Sequence, residues 1–338
     1  MELVDVDPRD ESAFAEWFAV TDAVEQHLRP GEPGWLLHEE RALSLDGQRP
    51  DTDDACELFA VRDAGRLVGA ARVTMPQVDN RHSAEVLLAV PPSERRRGAG
   101  RLLADEVERR ARAHGRDTLV AFADEPPTGD GGAVVRAAAA ALGWQVVQVD
   151  VRRDLDLPLD PARVARLEAD CRPHAADYEL RTWWDRTPDE LLEDRARLDN
   201  DFSVDVPKDE LDWRPEVWDG ARVRRSEVRS ASMDRTYAAA GAVHRPTGRL
   251  VGFTEVGLAR ADPRRAFQWG TMVLSAHRGH RLGLLLKLVV LQELAAASPA
   301  TRCVSTWNAQ ENGPMIAVNE ALGARTNGRI LALQRKLA

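Results

Sequence analysis

Short runs of apolar and β-branched residues, bounded by turn residues, open the pattern. Leu58–Arg62 and Arg66–Met75 read as two strands joined by a tight turn at Asp63-Ala64-Gly65. Ala84–Val90 reads as a third strand. From Arg101 to His114 the period becomes helical: Leu103, Val107 and Ala111 share one face, while Glu106, Arg109 and Arg110 lie elsewhere. Thr118–Phe122 predicts another strand and Val134–Leu142 a helix that Gly143 stops. Val146–Leu155 closes the series.

The same order then repeats. Strands are expected at Tyr237–Val243, Arg249–Leu258 and Phe267–Val273, followed by a helix at Leu284–Ala297. Cys303–Trp307 is the next strand, Pro314–Leu322 a helix stopped by Gly323, and Ile330–Leu337 the last strand. Gly65-Arg-Leu-Val-Gly69 recurs as Gly248-Arg-Leu-Val-Gly252, and Arg95–Gly100 falls on Arg278–Gly283. Leu142-Gly143 answers to Leu322-Gly323, and Arg153-Asp154-Leu155 to Arg335-Lys336-Leu337. Four landmarks in one order at nearly one spacing imply a duplicated module. Each copy begins with a helical, loop-rich region, Glu11–Gly47 and Pro188–Arg229. The expected division is residues 1–156, a linker 157–177 with a helix near Pro161–Ala169, and residues 178–338. The fold class is α/β, with a mixed sheet in each copy.

At 338 residues the chain suits two domains. A formal net charge of −9 argues against general nucleic-acid binding and favours a small cationic partner. No apolar run has the length of a membrane span, and the acidic start lacks the pattern of a signal peptide, so a cytoplasmic location is expected. Cys56, Cys171 and Cys303 are far apart and form no CxxC pair, so neither a disulfide framework nor a metal site is expected. Cys303 reads as a core residue.

Two turns carry candidate chemistry. In each copy a strand runs into an Arg-rich, Gly-containing turn and then into a helix. Glycine lets backbone approach a ligand closely. The N–H groups and dipole of the following helix favour a pyrophosphate, and flanking arginines add charge-assisted contacts. His277 and His280 bracket the second turn and read as phosphate contacts.

The stretch Val90-Pro-Pro-Ser-Glu-Arg95-Arg-Arg-Gly98-Ala-Gly100 resembles the acyl-CoA binding motif of the GNAT superfamily of N-acyltransferases. The resemblance covers nearly the whole chain, as two tandem GNAT folds in a layout similar to that of mycothiol synthase. It implies an N-acetyltransferase moving acetyl from acetyl-CoA to a primary amine by direct attack, with no metal. The internal repeat standing in for a dimer implies a monomer. Coenzyme contacts are implied at Leu88, Val90, Arg95, Arg96, Arg97, Gly98, Ala99, Gly100 and Arg101 of the first copy. In the second they fall on Val273, Arg278, Gly279, His280, Arg281, Leu282 and Gly283, with Arg281 in place of the first motif glycine. Asn308 and Asn312, which follow the second copy's later strand, are implied ligands of the pantetheine; capping and turn formation are the alternative. The loop Ala123–Gly132 of the first copy has no such Asn.

Many family members carry a Tyr three residues before the Leu-Gly to protonate the leaving thiolate. Here Ala139 and Asn319 stand there. An amine must be neutral to attack, so a carboxylate base is expected, at Glu255 or Glu85. The acidic, Trp-rich stretch Trp183–Asp219, with Trp184, Trp213 and Trp218, suits a cationic amine. Another acyl donor, and a non-catalytic acyl-CoA sensor, remain open alternatives.

Overall fold

A computed structural model describes residues 1–127, 131–205 and 210–337. The chain runs β1 (Glu2–Asp5), α1 (Glu11–Leu28), α2 (Leu37–Asp46), β2 (Asp54–Asp63), β3 (Arg66–Pro76) and β4 (Ser83–Ala89). Then come α3 (Ala99–Ala113), β5 (Thr118–Glu125), α4 (Gly131–Ala141), β6 (Gln145–Asp156), α5 (Pro161–Cys171) and β7 (Tyr178–Trp184). Next are α6 (Leu192–Asp205), α7 (Gly220–Ser232), β8 (Arg235–His244), β9 (Arg249–Ala259) and β10 (Arg265–Val273). The series ends with α8 (Leu282–Ala297), β11 (Cys303–Ala309), α9 (Gly313–Leu322) and β12 (Arg325–Lys336). Residues 128–130 of the Ala123–Gly132 loop and 206–209 of the acidic stretch lie outside the described residues.

Two compact units result, and they are not the contiguous spans 1–156 and 178–338. The first comprises Met1–Asp150, Lys208–Arg214 and Gly328–Ala338; the second comprises Val151–Pro207 and Pro215–Asn327. The physical reason is an exchange of closing strands. In the first unit the strand order is β1-β2-β3-β4-β5-β12, and β12 pairs antiparallel with β5 from Arg329↔Glu125 to Lys336↔Thr118. Leu331 and Leu333 of β12 are buried with Ala139 of α4. In the second unit the order is β7-β8-β9-β10-β11-β6, to which β6 contributes its second half from Val151 onward. Asp154 of β6 accepts from the Ser305 hydroxyl on β11 at 2.7 Å. The expected linker is structured: Asp160 caps α5, which packs against α8.

Local sequence explains the elements. Ala64 and Gly65 both have positive φ, as a two-residue hairpin turn between β2 and β3 requires. On α3, Leu103, Val107 and Ala111 are fully buried against the first sheet, as their spacing predicts. Helix α8 is apolar nearly all round and buries Leu282, Leu285, Leu286, Lys287, Leu288, Val290, Leu291 and Leu294. It lies between strands β8–β10 and α5, and so has no broad wet face.

Candidate acyl-coenzyme site

Among the described residues each unit shows a parallel strand pair that parts early. β4 and β5 are in register only over Ser83↔Thr118, Ala84↔Leu119 and Glu85↔Val120. β10 and β11 pair only over Arg265↔Cys303, Ala266↔Val304 and Phe267↔Ser305. Beyond these residues the strands continue apart and open a cleft between them. The strand β4 or β10 then feeds a 3-10 turn and the helix α3 or α8.

The turns share one backbone. In the first, Arg95 Nε donates to the Val90 carbonyl at 3.1 Å; in the second, Arg278 Nε donates to the Val273 carbonyl at 3.1 Å. Positive φ falls at Arg96 and Gly98 in the first turn and at Gly279 and Arg281 in the second. The two left-handed positions are kept while arginine and glycine have changed places. Arg281, at φ 56° and ψ 17°, is the helix N-cap just as Gly98 is. Among the described residues no side chain caps α3 or α8, whereas Asp10, Asp160, Asp219 and Asn312 cap α1, α5, α7 and α9. The first-turn N–H groups of these two helices are thus left for an anion.

The side chains distinguish the turns. In the first, Arg97 pairs with Glu94 and Asp63, and Arg101 donates to the Ala141 carbonyl at 3.2 Å. Arg96 is exposed. Ala99 is buried, while Gly98 and Gly100 leave the mouth of the turn low, with no atom within 4 Å of a Cβ built on Gly98. Leu88 packs on the core beside Val90. In the second, Arg278 pairs with Asp205 and Arg281 with Asp170. His280 Nδ1 lies 3.1 Å from the His174 carbonyl, and His277 Nδ1 lies 3.0 Å from the Tyr178 hydroxyl. Two carboxylates therefore already offset this turn's charge. Leu282 is buried and Gly279 and Gly283 stand open.

Asn312 and Asn308 both make internal bonds. Asn312 Oδ1 accepts from the Met315 N–H at 3.2 Å, capping α9. Asn308 is buried; its Oδ1 accepts from Asn319 at 3.2 Å and Arg153 at 3.4 Å, and its amide donates to the Ala309 carbonyl at 2.8 Å.

On the face opposite α8, the second unit gathers charge and aromatic surface. Glu255 of β9 accepts from Arg195 of α6 at 3.1 and 3.3 Å. Arg195 also donates to Asp199 at 3.1 Å and lies over the Phe253 ring at 3.8 Å. Burial, with Glu255 nearby, pushes the Asp199 carboxyl up to about 6 even though Arg195 opposes the shift. Trp269 of β10 and Trp307 of β11 meet edge to face at 5.5 Å across the parted strands. A Cβ on Gly257 would fall 2.5 Å from the Tyr237 ring and 3.0 Å from Trp269, so only glycine lets both rings lie over β9 there. Register shifts by one between Gln268 and Thr271 on β10, whereas β4 keeps an unbroken register with β3. Such a bulge leaves backbone groups outside the ladder.

The first unit also groups one guanidinium with two carboxylates, but places the guanidinium on the third strand. Arg72 of β3 pairs with Glu40 of α2. Glu85 of β4 lies beside them, its carboxyl raised by burial and held back by Arg72. Of the tryptophans expected to receive a cation, Trp184 packs on the core and Arg222 already covers the face of Trp218. The sequence reading missed Arg195, Asp199, Trp269 and Trp307. The i,i+4 spacing of Arg195 and Asp199 on a helix, and Phe122 and Trp307 at matching strand ends, were the available signals. Among the described residues no cluster suits a metal ion, and no helix is long and apolar enough to cross a membrane.

The sequence model of the acetyltransferase (GNAT) family matches residues 21–128. A solved tandem GNAT protein from the clavulanic acid biosynthesis pathway is 32% identical, with a TM-score of 0.80 over 99% of this chain and 98% of its own. A GCN5-related N-acetyltransferase from Sphaerobacter thermophilus is 16% identical, with a TM-score of 0.63 over 99% and 95%. A GCN5-related glucosamine N-acetyltransferase region of a fungal multi-domain GH3 β-N-acetylglucosaminidase is 14% identical, with a TM-score of 0.67 over 98% of this chain and 38% of that one. No curated protein sequence matches the chain.

Proposed function

Since the chain belongs to the GNAT family and is built as two tandem GNAT folds, a background that supports acyl-CoA N-acyltransferase activity, we propose that it moves acetyl from acetyl-CoA to a primary amine carried by a small cationic molecule or peptide. The second unit is the catalytic one and the protein works as a cytoplasmic monomer. The observation that carries this reading is the bulge of β10 at the mouth of the parted strands, beside Asp199, Arg195 and Glu255.

The uncapped N-terminus of α8 and the turn Arg278–Gly283 would hold the pyrophosphate, with Asp205 and Asp170 yielding their arginines to it. The first unit would hold a coenzyme on Arg95–Arg101, where Arg96 is exposed. The amine enters on the α6 side, between Tyr237, Trp269 and Trp307. Acidic charge and aromatic faces there favour a cation. Asp199, poised at about 6, takes a proton from the ammonium, and Arg195 keeps it near Glu255. The neutral amine attacks the thioester carbonyl directly, with no acyl-enzyme, and backbone N–H groups of the β10 bulge receive the oxyanion.

The test is acetyl transfer from acetyl-CoA across a panel of amines, comparing Asp199→Asn, Glu255→Gln and Glu85→Gln by kcat/KM. Loss in the first two with activity kept in the third is expected. Glu85 essential and Glu255 dispensable would move the reaction to the first unit. A second reading, a non-catalytic acyl-CoA sensor, is favoured by the ion pairs that offset the second turn. Coenzyme binding without turnover of any amine would select it.

A further inference from the structure

Lys287 is the unusual buried group of the second unit. It lies on α8 with 2% of its surface exposed, and its Nζ donates to Asn319 Oδ1 at 2.8 Å. A cavity of about 10 Å³ adjoins it, bounded by Gln268 of β10, Thr306 of β11 and Asn319 of α9, and by Leu155, Leu291, Val304, Leu322 and Ala324. That volume admits a single water. Gln268 and Thr306 are the first residues beyond the last paired residues, Phe267 and Ser305. The cavity therefore sits at the apex of the cleft, on the α8 side of the sheet.

A bare lysine is costly to bury without a reason, because desolvation penalises its charged form. Here burial brings the ammonium down to about 7. No wall residue of the cavity, from β6, β10, β11, α8 or α9, is ionisable besides Lys287 itself. The nearest cation in its network is Arg153, which reaches Asn308 Oδ1, itself bonded to Asn319. With no carboxylate to hold it, the proton on Nζ is available to a newly formed anion.

We propose that Lys287 supplies, through one water at the cleft apex, the proton that the coenzyme A sulfur takes as it leaves. The inference rests on acyl transfer in the second unit. The N–C bond forms as the C–S bond breaks, and the electron pair departs on sulfur. The amine, starting as an ammonium, sheds two protons in becoming an amide. One passes to Asp199 and on to solvent. Lys287 gives a proton to the thiolate, yielding coenzyme A with a free thiol, and the second proton shed by the amine restores the ammonium by way of water.

The experiment needs no acceptor. Free coenzyme A is titrated onto the protein in a Gly98→Val background, which weakens binding at the first turn and so favours the second unit, and the ultraviolet absorbance of its thiolate is followed against pH. With Lys287 present, the bound thiol should ionise about one pH unit lower than with Lys287→Met, a tenfold change. Lys287→Gln serves as a second variant should Lys287→Met fold poorly. Equal thiol ionisation in protein with and without Lys287, at equal coenzyme affinity, overturns the role of Lys287 alone. Absence of coenzyme binding that Gly279→Val would remove overturns the assignment of the second unit, and this inference with it.

Discussion

Arg72 and Glu255 stand at corresponding positions of the two units' third strands and carry opposite charges. Each is matched by a helix before the sheet: Glu40 of α2 holds Arg72, and Arg195 of α6 holds Glu255. The partners come from helices that are not equivalent in the repeat, α2 in the first unit and α6 in the second, so each unit has built its own ion pair at this strand position. A strand carboxylate at the cleft suits an incoming cation, whereas a strand guanidinium repels one. The units differ at this position, although Glu85 of β4 gives the first unit a strand carboxylate of its own.

Gly98→Val should weaken coenzyme A binding at the first turn at least about tenfold. An L-residue at φ +100° is strained by roughly 1–2 kcal/mol, and a branched Cβ stands where phosphate must approach. Isothermal calorimetry reads both affinity and stoichiometry. Unchanged values for both would remove this turn from the coenzyme site.

Asp199 should impose an acidic limb on kcat/KM, with activity rising as pH rises through about 6. Its effect on stability has the opposite sign. A carboxyl raised on folding contributes stability that is fully present below its unfolded value and lost as pH rises through about 6. Asp199→Asn should therefore flatten the fall in melting temperature over that window. A limb unmoved in Asp199→Asn would assign the base elsewhere.

Lys287 works in the other direction. Its folded value is lowered from 10.5 to about 7, so the stability it contributes is present at high pH and lost as pH falls through about 7. Relative to Lys287→Met, the wild type should lose stability on going from pH 10 to pH 7, by a few kcal/mol at most. Urea titrations of both proteins at the two pH values measure this. Parallel curves would mean that the amine is solvated in the folded protein.

Asn312→Ala should cost about 1 kcal/mol, the ordinary worth of an N-cap, because Asn312 Oδ1 holds the Met315 N–H. Thermal unfolding of the second unit reads this directly. A normal melting temperature with a raised KM for acetyl-CoA would instead mark Asn312 as a coenzyme ligand.

Deleting residues 328–338 should unfold the first unit before the second. The deletion exposes β5 as an open edge and removes buried Leu331, Leu333 and Leu337. Hydrogen exchange should then speed up across β2–β5 while β8–β10 stay protected. Uniform acceleration in both units, or none in the first, would contradict the exchange of closing strands.

The sequence by itself determined the duplication, because Gly65–Gly69 and Gly248–Gly252 repeat locally, and turn chemistry and strand patterning need only neighbouring residues. It also determined the stripe of Leu103, Val107 and Ala111 and the stops at Gly143 and Gly323, since periodicity and helix termination are local. The place of the two Arg-rich turns was legible for the same reason. Only the tertiary structure decided that β12 closes the first unit, because a strand's pattern records that one face is buried and not which neighbour buries it. It decided that Arg281 takes the left-handed position of Gly98 while Gly279 takes that of Arg96, a trade invisible to motif spacing. It decided, too, that Asn312 caps a helix, that Arg195 engages Glu255, and that Lys287 is buried at the cleft apex. The last two depend on groups many residues away, and distance along the chain carries no information about distance in space.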